Sequence, residues 1–297
     1  MKIARPAAAP IGMRGFRQRV FEAFCLLIVA SCCMLLAWSQ ARGSDLLDLE
    51  AGAVILSATS EHDSWPALAL LDSNAYTGWA SRRGQVAPST IVIELPHVFA
   101  LESMAFDNTR TQEIDYPGVS ARQVEVWLST RGPEDGFELA ATVQATQGGR
   151  EQFPLPLGSQ ARWIKLVIKS NWGNDQFTEL MELEAYGEVV GEMAKALPVS
   201  GTFLTNFGPL YLEQSGDRVR GCYEDGTALV SGRLDGRVMR LDWREKSGFG
   251  VALLTVSSGG DFLNGLWYEG SELRGTWRGP RDPGEPKPLC EIVWSEE

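Results

Sequence analysis

Three side chains with hard oxygen atoms lie within six residues of one another, early in the chain. Asp72, Asn74 and Thr77 offer a carboxylate, an amide carbonyl and a hydroxyl. Ca²⁺ prefers oxygen ligands of this kind and binds about six to eight of them. The spacing therefore predicts a structural Ca²⁺ loop. The alternative is an Asx turn, in which Asp72 and Asn74 accept hydrogen bonds from their own backbone.

A second group of candidate residues combines aromatic rings with polar groups in three segments between apolar runs. Sugar recognition needs a ring over the apolar C–H face of the sugar and polar groups for its hydroxyls. We therefore expect ligand contacts from His62, Trp65, Asn108, Arg110, Trp172 and Asn174. These residues are chosen by chemistry alone, and the alternative for each is an ordinary solvated loop residue.

The motifs of common catalytic sites are missing from the sequence. It has two histidines, His62 and His97, and contains no His-Glu-x-x-His, no Gly-x-Ser-x-Gly and no phosphate-binding glycine loop. The many acidic residues do allow a carboxylate pair for glycoside hydrolysis. We therefore expect a protein that is not an enzyme, and the alternative is an enzyme with a site between two domains.

The first 41 residues have the three parts of a secretory signal peptide. Basic residues come first, residues 23–38 form an uncharged apolar run, and Ser39-Gln40-Ala41 provides small residues for cleavage. We therefore expect a secreted, periplasmic or cell-envelope protein with no membrane span once the signal peptide is removed. The alternatives are an uncleaved N-terminal anchor and a lipoprotein modified at Cys32.

Removal of this segment changes the charge and the cysteine count. The segment holds five of the 27 basic residues and one of the 38 acidic residues, so the remainder carries a formal net charge of −15. That acidity excludes binding to a nucleic-acid backbone by charge alone. Only Cys222 and Cys290 remain, and an even cysteine count outside the cytosol favours a disulfide over two buried thiols.

Between residues 46 and 187, polar and apolar residues alternate in short runs separated by turns. The clearest runs are residues 90–95, 123–128 and 163–169. Alternation with β-branched residues is typical of half-buried strands, and no segment here keeps a helical period over three turns. The fold class is therefore all-β, with a β-sandwich over residues 46–187. Residues 188–199 lack a pattern and are interpreted as a linker.

The last third of the chain, residues 200–295, has short runs with glycine at each corner and a regularly recurring aromatic residue. This pattern predicts an up-and-down antiparallel meander that closes into a small barrel. We expect Trp243, Trp267 and Trp277 to lie in its core rather than around a ligand. A Cys222–Cys290 bond would tie a last strand, near residues 292–294, to the third strand.

Residues 70–79, 116–126, 161–166 and 179–187 together resemble the discoidin family, also called the coagulation factor 5/8 type C or galactose-binding-like family. The family includes carbohydrate-binding modules, and the resemblance covers about residues 50–187. It implies an eight-stranded jelly-roll sandwich that binds ligands through loops at one end. It also implies that Glu182, on the closing strand, shares a Ca²⁺ ion with Asp72, Asn74 and Thr77. The last third resembles lipocalins and avidins only loosely.

The sequence thus predicts an exported, non-catalytic binding protein whose discoidin-like domain recognises a carbohydrate or another cell-surface ligand. The alternative function is a structural or protein-interaction module of the cell envelope, with an envelope protein as its partner.

Overall fold

The computed structural model describes residues 44–190, 198–223, 226–284 and 290. The predicted signal peptide, most of the predicted linker and the strand expected near residues 292–294 lie outside these ranges. The described residues are all-β apart from two short 3-10 helices, Leu49–Ala51 and Ala67–Leu71. No helix among them is long and apolar enough to cross a membrane.

Two groups of strands follow each other in the described chain, nine in the first and eight in the second. The first group is β1 (Val54–Ala58), β2 (Trp79–Ala80), β3 (Ser89–Asp107), β4 (Ala121–Ser129), β5 (Glu138–Gln144), β6 (Arg150–Pro154), β7 (Gln160–Asn171), β8 (Glu179–Leu180) and β9 (Glu182–Val189). The second group is β10 (Gly201–Thr205), β11 (Gly208–Ser215), β12 (Arg218–Tyr223), β13 (Ala228–Asp235), β14 (Val238–Arg244), β15 (Phe249–Val256), β16 (Phe262–Glu269) and β17 (Glu272–Pro280).

The first nine strands form the predicted β-sandwich. One layer has the order β1-β3-β7-β4-β5, while β6 and β9 pair with the far half of β3, and β2 pairs with β8. Strand β3 belongs to both layers, because residues 89–94 pair with β7 and residues 103–107 pair with β6 and β9. Pro96 lies between the two halves of β3. Proline has no backbone N–H, and at this position none is needed for a hydrogen bond to a neighbouring strand. The all-β prediction is confirmed.

Alternation along the strands fills the sandwich core. In β7, Ile164, Leu166 and Ile168 are fully buried, whereas Lys165 and Lys169 between and after them are more exposed. Trp79 is also fully buried, and its indole N–H donates to the carbonyl of Ser60 at 2.7 Å. Burial of each such apolar side chain stabilises the fold by about 1.5–3 kcal/mol. The period of two in the sequence therefore decides which side chains enter the core.

The last eight strands form an antiparallel meander in which each strand pairs with the next, from β10 to β17. The meander closes on itself, because the N–H of Asp282 donates to the carbonyl of Thr202 at 2.8 Å and Asn206 donates to Arg278 at 3.1 Å. Gly279 stands at this seam, where a Cβ would lie 2.1 Å from the carbonyl oxygen of Leu204. These closing contacts come from β17 and the residues just after it.

The predicted disulfide is present. Cys222, the fifth residue of β12, is bonded to Cys290, and their Cα atoms are 5.6 Å apart. Cys222 is buried in the barrel wall. The bond therefore fixes Cys290 to the third strand of the barrel, as predicted from the two cysteines that lie outside the predicted signal peptide.

The barrel contacts the sandwich through a buried ion pair. Arg237, in the turn between β13 and β14, donates to the carbonyl of Gly52 at 2.6 Å and to the carboxylate and carbonyl of Glu94 at 3.0 and 2.9 Å. The Glu94 side chain is 3% exposed, and Arg162 is its second cationic partner at 3.2 Å. Asn264 of β16 adds a buried hydrogen bond to the carbonyl of Ile55. Polar groups that are buried and paired in this way fix the barrel against the sandwich.

Candidate functional site

The segment predicted to bind Ca²⁺ follows the buried 3-10 helix Ala67–Leu71. The N–H of Asn74 donates to the Asp72 carboxylate at 3.1 Å, and the N–H of Tyr76 donates to the amide oxygen of Asn74 at 3.1 Å. The Thr77 hydroxyl donates to both Asp72 oxygens at 2.7 and 2.9 Å. The loop therefore contains two successive Asx turns, which is the alternative geometry considered for it, and it brings the three expected ligands together.

Glu182, at the start of β9, is the unusual residue of this region. Its side chain is buried, and within the described residues neither carboxylate oxygen accepts a hydrogen bond of normal geometry, although the backbone N–H groups of Leu183 and Asn74 lie near enough to favour its charged form. Burial, together with repulsion from Asp72 and Asp45, raises the pKa of Glu182 to about 10. Burial also raises the pKa of Asp72 and the pKa of Asp45, each to about 6. A buried carboxylate without a partner is costly, so this arrangement favours either a bound proton or a cation.

The donors around Glu182 suit a hard cation. Both Asp72 and Glu182 offer carboxylate oxygens, and their mutual repulsion is the interaction that a divalent ion would reverse. Across the described ranges, no group of three or more His, Cys, Asp or Glu side chains is placed to hold a metal ion. A Ca²⁺ shell here would therefore also need amide, hydroxyl and backbone carbonyl oxygens from the 72–77 loop. The unpaired oxygens of Glu182 fit such an ion.

Three segments meet at one end of the sandwich and are called here the loop end: residues 61–66, 112–118 and 171–177. The N–H of Trp172 donates to the carbonyl of Gly118 at 2.9 Å. Gly118 has a φ of +80°, and a Cβ there would lie 2.9 Å from the carbonyl oxygen of Trp172. Only glycine permits this close approach without strain. The contact holds the second and third segments side by side.

An aromatic row connects the three segments of the loop end. The ring of Phe177 makes edge contacts with the ring of His62 at 5.9 Å and with the ring of Tyr116 at 5.3 Å. All three side chains are half-buried. Sequence reasoning selected His62 but missed Tyr116 and Phe177. The available clue was their position beside the turns at Pro117-Gly118 and at residues 171–175.

Two arginines lie over aromatic rings near this end. The Arg122 guanidinium is 4.7 Å from the ring centre of Trp172, and that of Arg110 is 4.6 Å from the ring centre of Tyr76. The indole N–H of Trp172 is buried and has no hydrogen-bond partner. Arg110 is exposed, and it contacts Tyr76 of the 72–77 loop rather than the aromatic row. Of the two predicted contacts, Trp172 therefore lies in the loop end and Arg110 lies against the 72–77 loop, each in a cation–π pair.

Two of the expected ligand contacts hold the loops together instead. Asn108 is fully buried, and its amide donates to the carbonyls of Ala121 and Thr146, each at 3.1 Å. This placement corrects its expected role, because a buried side chain cannot touch a ligand at the surface. Asn174 accepts from two backbone N–H groups of its own loop at 2.9 Å and donates to Pro117. Trp65 is half-buried and forms a one-pair β-bridge with His62.

A groove of about 290 Å³ lies between the sandwich and the barrel. Its described lining includes one carboxylate, that of Glu61. This carboxylate accepts from the N–H of Ala67 at 2.8 Å and pairs with Arg278 at 3.3 Å. Glycoside hydrolysis usually requires two carboxyl groups that face each other across the substrate. The described lining supplies only one.

Known proteins resemble the sandwich. Residues 71–189 match the family model of the Sad1/UNC-like C-terminal domain. Similar solved structures include the family 32 carbohydrate-binding module of Clostridium perfringens NanJ in complex with galactose, at 19% identity and a TM-score of 0.41, covering 48% of this chain and 97% of that one. Another is the C-terminal domain of a Bacteroides fragilis chitobiase, at 26% identity and a TM-score of 0.40, covering 47% and 96%.

A third similar structure is a fragment of a putative chitobiase from Bacteroides thetaiotaomicron, at 18% identity and a TM-score of 0.42, covering 48% of this chain and 92% of that one. No curated protein is similar enough to this chain to count as a match. Each of these three structures covers about half of this chain. The predicted resemblance is confirmed: the N-terminal sandwich is a galactose-binding-like, or discoidin, fold, and residues 71–189 are similar to the Sad1/UNC-like C-terminal domain.

Proposed function

We propose that this protein is an exported, non-catalytic binding protein and that the loop end of its sandwich recognises a carbohydrate. The observation that carries the proposal is the half-buried row of His62, Phe177 and Tyr116. Each ring keeps part of its surface open, and ring faces cover the apolar side of a sugar. The loops that carry the row are held by their own hydrogen bonds, so the row is preorganised for binding.

Binding is tested on the full chain with a glycan array and with affinity electrophoresis in polysaccharide gels. Galactose- and N-acetylgalactosamine-terminated glycans are the first probes, since two of the similar modules are described in complex with such sugars. We expect Phe177→Ala and His62→Ala to weaken retention at least about tenfold. The matched control is His97→Ala, the other histidine of the chain. Absence of binding across the array, with the wild-type protein folded, would overturn the proposal.

A protein-binding function is the second candidate, and one observation favours it. Ile114 is 95% exposed at the tip of the 112–118 segment, beside the aromatic row. An apolar side chain presented in this way suits a protein partner of the cell envelope better than a sugar. Ile114→Ser separates the two functions, because it would reduce binding to a protein partner and leave retention in polysaccharide gels unchanged.

We further propose that Asp72, Asn74, Thr77 and Glu182 hold a structural Ca²⁺ ion. The unpaired buried oxygens of Glu182 support this proposal. When bound, the ion would fix the 72–77 loop to the start of β9 and keep Glu182 ionised; it would take no part in a reaction.

The Ca²⁺ site is tested by thermal unfolding with added CaCl2 and with EDTA. An ion at a hundredfold excess over its Kd stabilises the folded state by about 2.7 kcal/mol, which corresponds to a shift of roughly 5–10 °C for a chain of this size. Asp72→Ala should abolish the shift, whereas the exposed control Asp115→Ala should keep it. An identical Tm of the wild-type protein in Ca²⁺ and in EDTA would end the proposal.

Export is tested by N-terminal sequencing of the protein from cells. Cleavage after Ala41 supports the signal peptide. An intact N-terminus would instead favour the anchored alternative, and a lipidated N-terminal Cys32 would favour the lipoprotein.

A further inference from the structure

One end of the barrel contains a cluster of five aromatic rings, which we call the aromatic cage: Phe207, Tyr223, Trp243, Trp267 and Trp277. Neighbouring rings are 4.8–5.6 Å apart and nearly perpendicular. Trp243 and Trp277 are buried in the barrel core, as the sequence predicts. Trp267 is half-buried and Phe207 is 37% exposed, so the cluster is open on one side.

The aromatic cage encloses a small cavity with one carboxylate in its wall. The cavity has a volume of about 40 Å³, and its described lining is the five rings and Glu245. A cavity needs about 10–15 Å³ to hold one water molecule. This cavity therefore has room for roughly three or four groups of the size of a water molecule or a methyl group. Glu245 accepts a hydrogen bond from the Ser247 hydroxyl and forms no ion pair within the described residues.

The polar groups of the wall limit the kind of ligand that fits. The indole N–H of Trp243 donates to the carbonyl of Tyr268 at 3.1 Å, and that of Trp277 donates to the Thr205 hydroxyl at 3.1 Å. These two donors are therefore already used and do not serve an anion or a sugar hydroxyl. The remaining surface consists mainly of π-electron faces and a carboxylate, both of which attract positive charge.

We propose that the aromatic cage binds a trimethylammonium group carried by a small molecule such as choline. A cation without N–H groups loses little on leaving water here, because it needs no hydrogen-bond acceptors from the ring walls. Three methyl groups around a nitrogen match the size of the cavity. A primary ammonium or a guanidinium would need several acceptors, and the side chains of the described wall offer only the Glu245 carboxylate and the Tyr223 hydroxyl.

The test is calorimetric titration of the full chain with choline and with dimethylbutanol, the uncharged isostere in which carbon replaces the nitrogen. We expect choline to bind, and dimethylbutanol to bind at least about tenfold more weakly. Tryptophan fluorescence gives a second readout, because three of the five rings are indoles. Equal binding of the two compounds, or no binding of choline at millimolar concentration, would overturn the proposal.

Two pairs of variants locate the site. Phe207→Ala removes an exposed wall, and Glu245→Gln removes the charge; each should weaken choline binding by about two- to thirtyfold. Their controls lie outside the cavity: Phe249→Ala, at a position 74% exposed, and Glu272→Gln, with a side chain 72% exposed. If Phe207→Ala fails to fold, Glu245→Gln still decides the question, because it changes no ring. Unchanged binding in Glu245→Gln would contradict the role of charge.

The same headgroup also occurs in lipids, and a separate titration distinguishes the two sources. Binding of free choline supports the small-molecule site. Binding of phosphatidylcholine vesicles without binding of free choline would overturn it in favour of a membrane surface.

Discussion

Two buried glutamates of the sandwich occupy opposite electrostatic situations. Glu94, at the barrel junction, is paired with Arg237 and Arg162. Glu182, beside Asp72, has no cationic partner within the described residues, and its pKa is raised to about 10. Two guanidinium groups thus pair with the carboxylate at the barrel junction, whereas among the described residues none forms an ion pair with Glu182. A buried carboxylate needs a counter-charge, and the second one lacks it within the described protein.

Loss of the junction pair should have the largest effect. Arg237→Ala removes three hydrogen bonds and leaves the Glu94 carboxylate with a single cationic partner. Removal of one partner of a buried ion pair costs about 3–5 kcal/mol. We therefore expect the free energy of unfolding, measured in urea, to fall by about this amount. The control is Arg240→Ala, whose exposed pair with Glu50 is worth at most about 1 kcal/mol. Equal losses in the two variants would show that the junction is not a strong pair.

The unpaired glutamate should make stability depend on pH in Ca²⁺-free protein. Below about pH 4.5 the folded and unfolded chains both keep the proton on this residue. Between that value and about pH 10 only the folded chain keeps it, so stability falls as pH rises, by about 1.4 kcal/mol per pH unit.

Urea unfolding in EDTA between about pH 6.5 and 9 isolates this effect, because Asp72 and Asp45 titrate near pH 6. Glu182→Gln should flatten the slope, since its amide does not titrate in this range. Saturating Ca²⁺ should flatten it in the wild-type protein, because the ion would keep the carboxylate charged. A wild-type slope that saturating Ca²⁺ and the variant both leave unchanged would refute the contrast between the two glutamates.

The second partner of Glu94 should contribute less than the first. Arg162 makes one hydrogen bond to it at 3.2 Å, and its side chain is 23% exposed, against 10% for Arg237. We expect Arg162→Ala to lower the free energy of unfolding by ~1–2 kcal/mol. The double variant Arg162→Ala/Arg237→Ala should lose more than the sum of the two, because Glu94 then has no cationic partner. A simply additive double variant would mean that the two arginines act independently.

The strands were predictable because their information is local. Residues 123–128 and 163–169 alternate with a period of two, and that period alone indicates which side chains face the core. The short runs with glycine at their corners likewise predicted strands β10–β17 from local sequence alone. The disulfide was predictable from the count of cysteines outside the predicted signal peptide alone.

The contacts that define the sites depend on distant parts of the chain. The sequence does not distinguish the role of Arg237 from that of Arg240. Of the two, only Arg237 contacts Glu94, which lies 143 residues away in the sequence. The sequence predicts that Asn108 and Asn174 are both polar loop residues. Asn108 is instead buried, and its amide donates hydrogen bonds to the carbonyls of Ala121 and Thr146. The isolation of Glu182 is invisible in sequence, because it results from what the fold does not place beside it.

Strand β3 has a consequence for how the sandwich opens. Its single run of backbone, Ser89–Asp107, pairs with β1, β7, β6 and β9. Neither layer can then separate without breaking the ladder of the other. The central amides of β3 should exchange with deuterium only when the whole sandwich unfolds, whereas those of β5, at the sheet edge, should exchange through local opening. One strand thus makes the two layers a single cooperative unit.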